Sequence, residues 1–266
     1  MEHPVSVLYH PFNKLLIALF GESSPRYQEL MGLHEAGYWL PDHVVMAMLV
    51  VVLVAAVLIP TSRRLSVESP GKLQQIFELL IKGVGELIED VVGHGFGKRF
   101  LPFIMGLAVF IFVSNIFGLF YFVQPPTANP NTTFALSITA FLFYNIVGIK
   151  DNGLFKYLKH FAGPLPLLAP LMVPIEIISH LLRPFTLGVR LFANMYAGHI
   201  MLGVFAIFMA MALEHFTAVG ALVLPLSFLM QVVLRVFELF VAVLQAYIFS
   251  ILTAVYINGA LHAGEH

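Results

Sequence analysis

Apolar residues fall along this chain in blocks, separated by short polar, charged or proline-rich stretches. Residues 44–59 (VVMAMLVVVLVAAVLI) carry no charge and close on Pro60, Arg63 and Arg64, which predicts a first membrane span. Ser69-Pro70 then offers a helix start, with serine as N-cap and proline in the first turn. From there Leu73, Ile76, Phe77, Leu80, Val84, Leu87, Ile88 and Val91 recur at i, i+3, i+4 and i+7. Lys72, Gln75, Glu78, Lys82, Glu86, Glu89 and Asp90 mark the polar positions. One apolar and one charged face predict a helix over 69–92 that lies on a membrane surface rather than crossing it. The blocks at 101–123 and 134–149 predict a helical hairpin over 101–149, joined by QPPTANPN (124–131), whose three prolines and two asparagines predict loop. Upstream, Val5, Leu8, Phe12, Leu15, Leu16 and Leu19 fall at helical spacing. An interfacial helix weakened at Pro11 and a polar tail running to Asp42 both fit segment 1–42.

The last hundred or so residues are less simple. Pro174–Ala212 and Leu222–Leu261 hold 39 and 40 residues, each about 60 Å long as one helix, twice the ~30 Å hydrocarbon core. Each is therefore two spans or one steeply inclined helix. LRVFEL (234–239) has no Gly, Pro, Asn or Asp to make a turn, which favours inclination. RPFTLGVR (183–190) holds Pro184 and Gly188 and leaves a kink open. The preferred reading is two long tilted helices forming a hairpin over 165–261.

Composition turns these blocks into a class. The 266 residues are 59% hydrophobic and 11% charged, with mean hydropathy +0.88, against roughly 45–50% apolar in soluble domains. The chain reads as one all-α polytopic membrane domain, 1–266. A net charge of −1 gives no reason to expect nucleic acid. The absence of cysteine excludes disulfides, thiol catalysis and sulfur-ligated clusters. The eleven histidines are scattered, apart from His262 and His266 four residues apart near the carboxyl end, and neither metal nor cofactor is expected. Residues 1–20 do not form a good signal peptide. Arg63, Arg64, Lys72, Lys82, Lys98 and Arg99 lie between the first and second spans, Lys150, Lys156 and Lys159 follow the third, and 124–133 has no Lys or Arg. The positive-inside rule puts the basic segments in the cytoplasm, the amino terminus outside and the carboxyl terminus inside.

The long helices carry the candidate chemistry. Glu176, Ser179, His180, Arg183, Thr186, Arg190 and Asn194 draw one polar stripe on the first, and Gln231, Arg235, Glu238 and Gln245 another on the second. Such seams fit a protein-facing or water-accessible surface; polar glue between helices is the plainer alternative. A hairpin turn near 216–220 sets residues whose numbers sum to about 436 opposite each other, so Arg190 should face Gln245 and His199 should face Glu238. An imidazole beside an intramembrane carboxylate can exchange a proton, and a structural hydrogen bond fits the same pair. Arg190 stays charged at any accessible pH and costs roughly 2.5–3.5 kcal/mol at mid-bilayer. Glu176 is about 21 Å away along the helix, and Glu238 lies opposite position 198, about 12 Å further on. Arg235 has Glu238 three residues on, and Arg183 lies nearer the cytoplasmic end, where it can snorkel. Arg190 alone lacks a partner in its own chain, so its counter-charge should come from another subunit.

FTLGVRLFANMYAGH (185–199), LQAYIFSILTAVY (244–256), PTANPNTTFALS (126–137) and the amphipathic helix after the first span resemble subunit a of the F-type ATP synthase, bacterial type. The likeness covers most of the chain and is weakest before residue 40. It implies a membrane stator, non-catalytic by itself, that couples proton flow to rotation and ATP synthesis. It also implies a ring of c subunits, b-type peripheral stalk and other ATP synthase subunits as partners, in a bacterial plasma (inner) membrane. The resemblance makes Arg190 the essential charge facing c-ring carboxylates between two aqueous half-channels. Asn194 and Gln245 match polar positions near it, Glu176 an acidic position of the half-channel region, and His199 and Glu238 a coupled acid–histidine pair with the two types exchanged. Glu238, His199 and Glu176 are expected to serve the external inlet, and Ser179, His180, Arg183 and Arg235 are read as supporting residues of ion translocation. A single-chain ion channel or secondary transporter is the rival, but no inverted repeat or matched pair of broken helices is present.

Overall fold

The computed structural model describes residues 8–31, 33, 37–66, 70–93, 97–120, 123–160, 169–214 and 218–264. They form helices α1 (Tyr9–Phe20), α2 (Pro25–Met31), α3 (Asp42–Arg63), α4 (Lys72–Val92), α5 (Gly97–Phe117), α6 (Pro130–Asn152), α7 (Leu154–His160), α8 (Ala169–Glu214) and α9 (Ala218–Leu261). No strand occurs among the described residues. Helices α3, α5, α6, α8 and α9 are long and apolar enough to cross a membrane. The protein is an all-α, multi-pass membrane protein.

Several boundaries depart from the sequence pattern. Pro60 does not end α3, which runs on to Arg63, and α8 continues through Pro174 and Pro184 as one 46-residue helix. Membrane helices tolerate such prolines because neighbouring groups take up the freed carbonyls. Gly188 marks close packing rather than a break: a Cβ there would lie 2.8 Å from Ser137 Oγ and 3.0 Å from the Phe134 ring. Helix α9 is likewise unbroken over 44 residues. At 1.5 Å per residue α8 is about 69 Å long, more than twice the ~30 Å hydrocarbon core. The loop before α6 is not wholly irregular, because Pro126–Ala128 form a 3-10 turn whose three residues are buried. Helix α4 starts after Gly71, and Ser69, the expected N-cap, lies outside the described residues, as do Phe216 and the rest of 215–217.

By internal packing the chain forms two compact units. The first comprises Met1–Leu53, Ile111–Thr132 and Leu191–Leu244. In it, Tyr9, Tyr38 and Val45 make a small core with Phe12, Ile17, Leu33 and Leu40 against it. Helix α1 therefore forms, with Pro11 harmless in its first turn, but it buries a different face from the one its periodicity suggested. Leu8, Leu15 and Leu19 stay exposed, while Tyr9 and Asn13 turn inward. Asn13 explains the choice. Its Oδ1 accepts from the backbone N–H of Trp39 and Leu40 (both 3.0 Å), and its Nδ2 donates to the carbonyl of Leu40 (3.0 Å). A buried amide satisfied on both sides ties the residues before α3 to α1.

The second unit comprises Val54–Phe110, Thr133–Arg190 and Gln245–His266. Its core draws Ile88 and Val92 from α4, Phe100 and Ile104 from α5, Tyr144 and Val147 from α6, Tyr157 from α7, and Ala254, Ile257 and Ala260 from α9. Phe103 and Phe143 stack at 3.7 Å, and Arg99 pairs with Asp151 at 3.0 Å. Asn152, at the end of α6, donates to the carbonyls of Ala260 and Leu261 (2.8 and 2.9 Å), capping the end of α9. Helix α4 buries Gln74 in its first turn and Ile88 and Val92 at its far end. Leu73, Ile76, Leu79, Leu80 and Ile81 remain exposed.

Candidate ion-path residues

Helix α8 threads both units, and its polar residues divide between them. In the second unit, Asn145 of α6 is the hub. Its Oδ1 accepts from the Tyr157 hydroxyl at 2.8 Å and lies 2.9 Å from His180 Nε2, while its Nδ2 donates to the Phe141 carbonyl at 2.7 Å. His180 is buried, at 9% exposure. One turn away Arg183 pairs with Glu176 at 3.5 Å and lies 5.2 Å over the Tyr256 ring. These groups line a cavity of about 50 Å³ together with Tyr144, Gly259 and Ala260, which has room for water. Arg183 thus has a carboxylate and an aromatic face as partners while its side chain stays partly exposed. Burial pushes the Tyr157 phenol up, the Arg183 charge opposing, so it stays protonated and keeps donating. Ser179, one residue from His180, is exposed.

In the first unit the carboxylate of Glu238 is buried, at 4% exposure. Helix α8 passes it at Gly198, where a Cβ would lie 3.0 Å from Glu238 Oε1. The numbers 198 and 238 sum to 436, the register read from the sequence. His199 is half-buried, and its Nε2 would be 3.0 Å from a Cβ at Gly118, at the end of α5. Neither oxygen of Glu238 nor Nε2 of His199 has a hydrogen-bond partner among the described residues, so the expected His199–Glu238 pair makes no direct bond through these atoms. Arg235 does not pair with Glu238 either. Its guanidinium donates to the carbonyl of Leu119, just beyond α5, a group that a helix end leaves without an intrahelical partner. Asn115 accepts from the Thr127 hydroxyl at 2.8 Å in a buried bond that holds the proline-rich loop to the end of α5.

Arg190 is set apart from both clusters. It is exposed, on the side of α8 that Ser179, Thr186, Met201 and Val204 share, all of them exposed too. Ala193, Asn194 and Ala197 follow it on the same side and are also exposed. The described ion pairs join Lys82 to Glu86, Arg99 to Asp151 and Arg183 to Glu176; Arg190 is in none of them. Gln245, expected opposite, is buried at 1% exposure, so the two differ sharply in surroundings. An exposed guanidinium in a 46-residue apolar helix invites an anion from outside this chain.

Sequence reasoning passed over Asn145, Tyr157, Gly118, Gly198, Asn115 and Thr127. An asparagine inside a short apolar span was a usable signal for Asn145. Tyr157 and the glycines carried none, because their roles come from contacts distant in sequence.

The sequence profile of the family described as ATP synthase A chain matches residues 44–258. "ATP synthase subunit a" of Solibacter usitatus is 42% identical over 233 residues, 87% of this chain and 91% of that protein. "ATP synthase subunit a 1" of Syntrophotalea carbinolica is 39% identical over 252 residues, 95% and 97% of the two chains. That of Sulfurihydrogenibium sp. is 36% identical over 227 residues, 85% of this chain and its own full length. With a match over most of its length and apolar helices of spanning size, this chain belongs to the ATP synthase subunit a family of membrane proteins, which serves proton transport and ATP synthesis.

Proposed function

We propose that this chain is the stator of a proton-translocating rotary ATP synthase and that Arg190 meets the carboxylates of a ring of c subunits. The observation that carries the reading is the exposed Arg190, which joins none of the described ion pairs. Ala193 and Ala197 beside it would let another helix approach closely. Asn194 adds an exposed amide on the same side of α8, and Gln245 a buried one on α9.

A proton crossing through one continuous wire would dissipate the gradient without turning anything. A fixed positive charge between two offset half-channels lets only an ionised rotor carboxylate approach, so each proton must ride the ring. Arginine suits this task because burial does not deprotonate it, as it can lysine. Each charge crossing 100 mV supplies about 2.3 kcal/mol, so rotation is driven by many protons per turn. Glu238 and His199 are assigned to the external inlet; a buried carboxylate that α8 passes at Gly198, next in sequence to the half-buried His199, supports the assignment. Glu176 is assigned differently from the sequence expectation. It shares a cavity with Tyr157 of α7, and α7 follows the basic Lys150 and carries Lys156, which the positive-inside rule puts in the cytoplasm. Glu176, with Arg183 and His180, therefore belongs to the cytoplasmic exit. The b-type stalk and remaining synthase subunits complete the complex in a bacterial inner membrane, with the amino terminus outside and the carboxyl terminus in the cytoplasm.

The test is ATP-driven acidification of inverted membrane vesicles carrying the assembled complex, wild type against Arg190→Ala, with passive proton leak measured after the catalytic sector is stripped. Lost pumping with normal assembly supports the reading. Normal pumping with unchanged leak makes the charge structural and removes the stator role assigned to Arg190.

A further inference from the structure

Resting on that reading of α8, we propose that His180 is a proton-exchanging residue of the cytoplasmic exit and that Asn145 is its positioning residue, fixing which ring nitrogen exchanges.

The assignment follows from the hydrogen-bond directions around one amide. Asn145 Nδ2 donates to the Phe141 carbonyl at 2.7 Å, which fixes the amide so that Oδ1 faces the other way. That oxygen is an acceptor only, and it takes the Tyr157 hydroxyl at 2.8 Å and His180 Nε2 at 2.9 Å. The Nε2 of His180 must therefore carry a hydrogen and donate. In a neutral imidazole the other nitrogen, Nδ1, is then the one that gains and loses a proton. A proton from water in the cavity passes to Nδ1 and returns to water, with the Nε2–H···Oδ1 bond unchanged throughout. The ring can change charge without changing place.

Its surroundings suit such a group. On α8, Glu176 at i−4 attracts a charge on the ring and Arg183 at i+3 repels it, and both line the same cavity as His180. From α6, the Tyr144 ring meets His180 edge-on at 5.5 Å and Phe141 lies tilted at 5.1 Å. From α7, Tyr157 holds the shared oxygen. From α9, Tyr256 contacts Tyr144 at 5.7 Å and lies under Arg183. A titratable ring, buried and pinned in one tautomer beside a water-sized cavity and an ion pair, is placed to hand protons on rather than merely to fill space.

Inverted vesicles expose the cytoplasmic face, so the external buffer sets the proton supply to this cavity. The rate of ATP-driven acidification is measured against external pH for wild type, His180→Gln, Asn145→Leu and Arg190→Ala, each scaled to assembled complex. His180→Gln keeps an amide N–H to donate to Asn145 but cannot exchange a proton. It is expected to lose the inflection that histidine gives between about pH 5 and 8 and to pump at least about threefold more slowly at the alkaline end. Asn145→Leu, which frees the tautomer while leaving the imidazole, is expected to move that inflection. A wild-type profile in both variants, with Arg190→Ala inactive, overturns the roles of His180 and Asn145 and leaves the stator reading standing. Full pumping by Arg190→Ala overturns the stator reading itself.

Discussion

Three arginines on the long helices have three different environments, and their substitutions should separate accordingly. Arg183 is held by Glu176 at 3.5 Å and by the Tyr256 ring. Arg235 is held by the Leu119 carbonyl. Arg190 is held by neither carboxylate nor carbonyl among the described ion pairs and lies exposed. Arg190→Lys is therefore expected to fail almost as fully as Arg190→Ala in vesicle acidification, because lysine shifts its pKa readily when desolvated. Arg235→Lys, which keeps a donor for one carbonyl, is expected to retain most activity. The glycines give a finer test. A Cβ at Gly198 would press on Glu238 Oε1 at 3.0 Å, whereas one at Gly203 on the same helix would meet open space. Gly198→Ala should slow acidification severalfold at normal assembly, and Gly203→Ala should match wild type. Equal rates for the two would mean that the position of the Glu238 carboxylate does not matter to transport.

At the scale of elements, the sequence made the apolar helices legible because their signal is local. Long uncharged blocks and a period of 3.6 follow from which residues adjoin one another along the chain. The unbroken α9 was readable from LRVFEL, which lacks any turn residue. The contacts between elements were not readable, because they depend on residues brought together across the chain. Helix α1 turned Asn13 inward to meet Trp39 and Leu40, and Leu15 and Leu19 stayed outside. The sequence placed Arg235 against Glu238 by spacing alone, yet the end of α5 supplied a carbonyl instead. The Asn152 cap is another contact of this kind. Asn152→Ala removes two hydrogen bonds to the last turn of α9, expected to cost about 1–2 kcal/mol. The measurement is the thermal midpoint of the detergent-solubilised complex, which should fall. Thr127→Val strands buried Asn115 Oδ1 and should cost about 1–3 kcal/mol by the same measure.

At the scale of the whole molecule, the central claim is that this chain is electrostatically incomplete and that the missing charge belongs to a rotor. Much of that was legible beforehand, since counting carboxylates along α8 and α9 left Arg190 alone. What the sequence could not supply was the exposure of that face, with Ala193 and Ala197 open beside the charge and Leu191 turned inward. The chain has no cysteine, so introduced thiols report without interference. The most direct measurement is disulfide mapping in native membranes. Single cysteines at Ala193, Ala197 and the buried Leu191 are each paired with a cysteine one helical turn from the c-subunit carboxylate. Rapid cross-linking from 193 and 197 but not from 191 is the predicted result. Cross-linking from none of the three, in complexes that still pump, would contradict the claim that the Arg190 face meets the rotor.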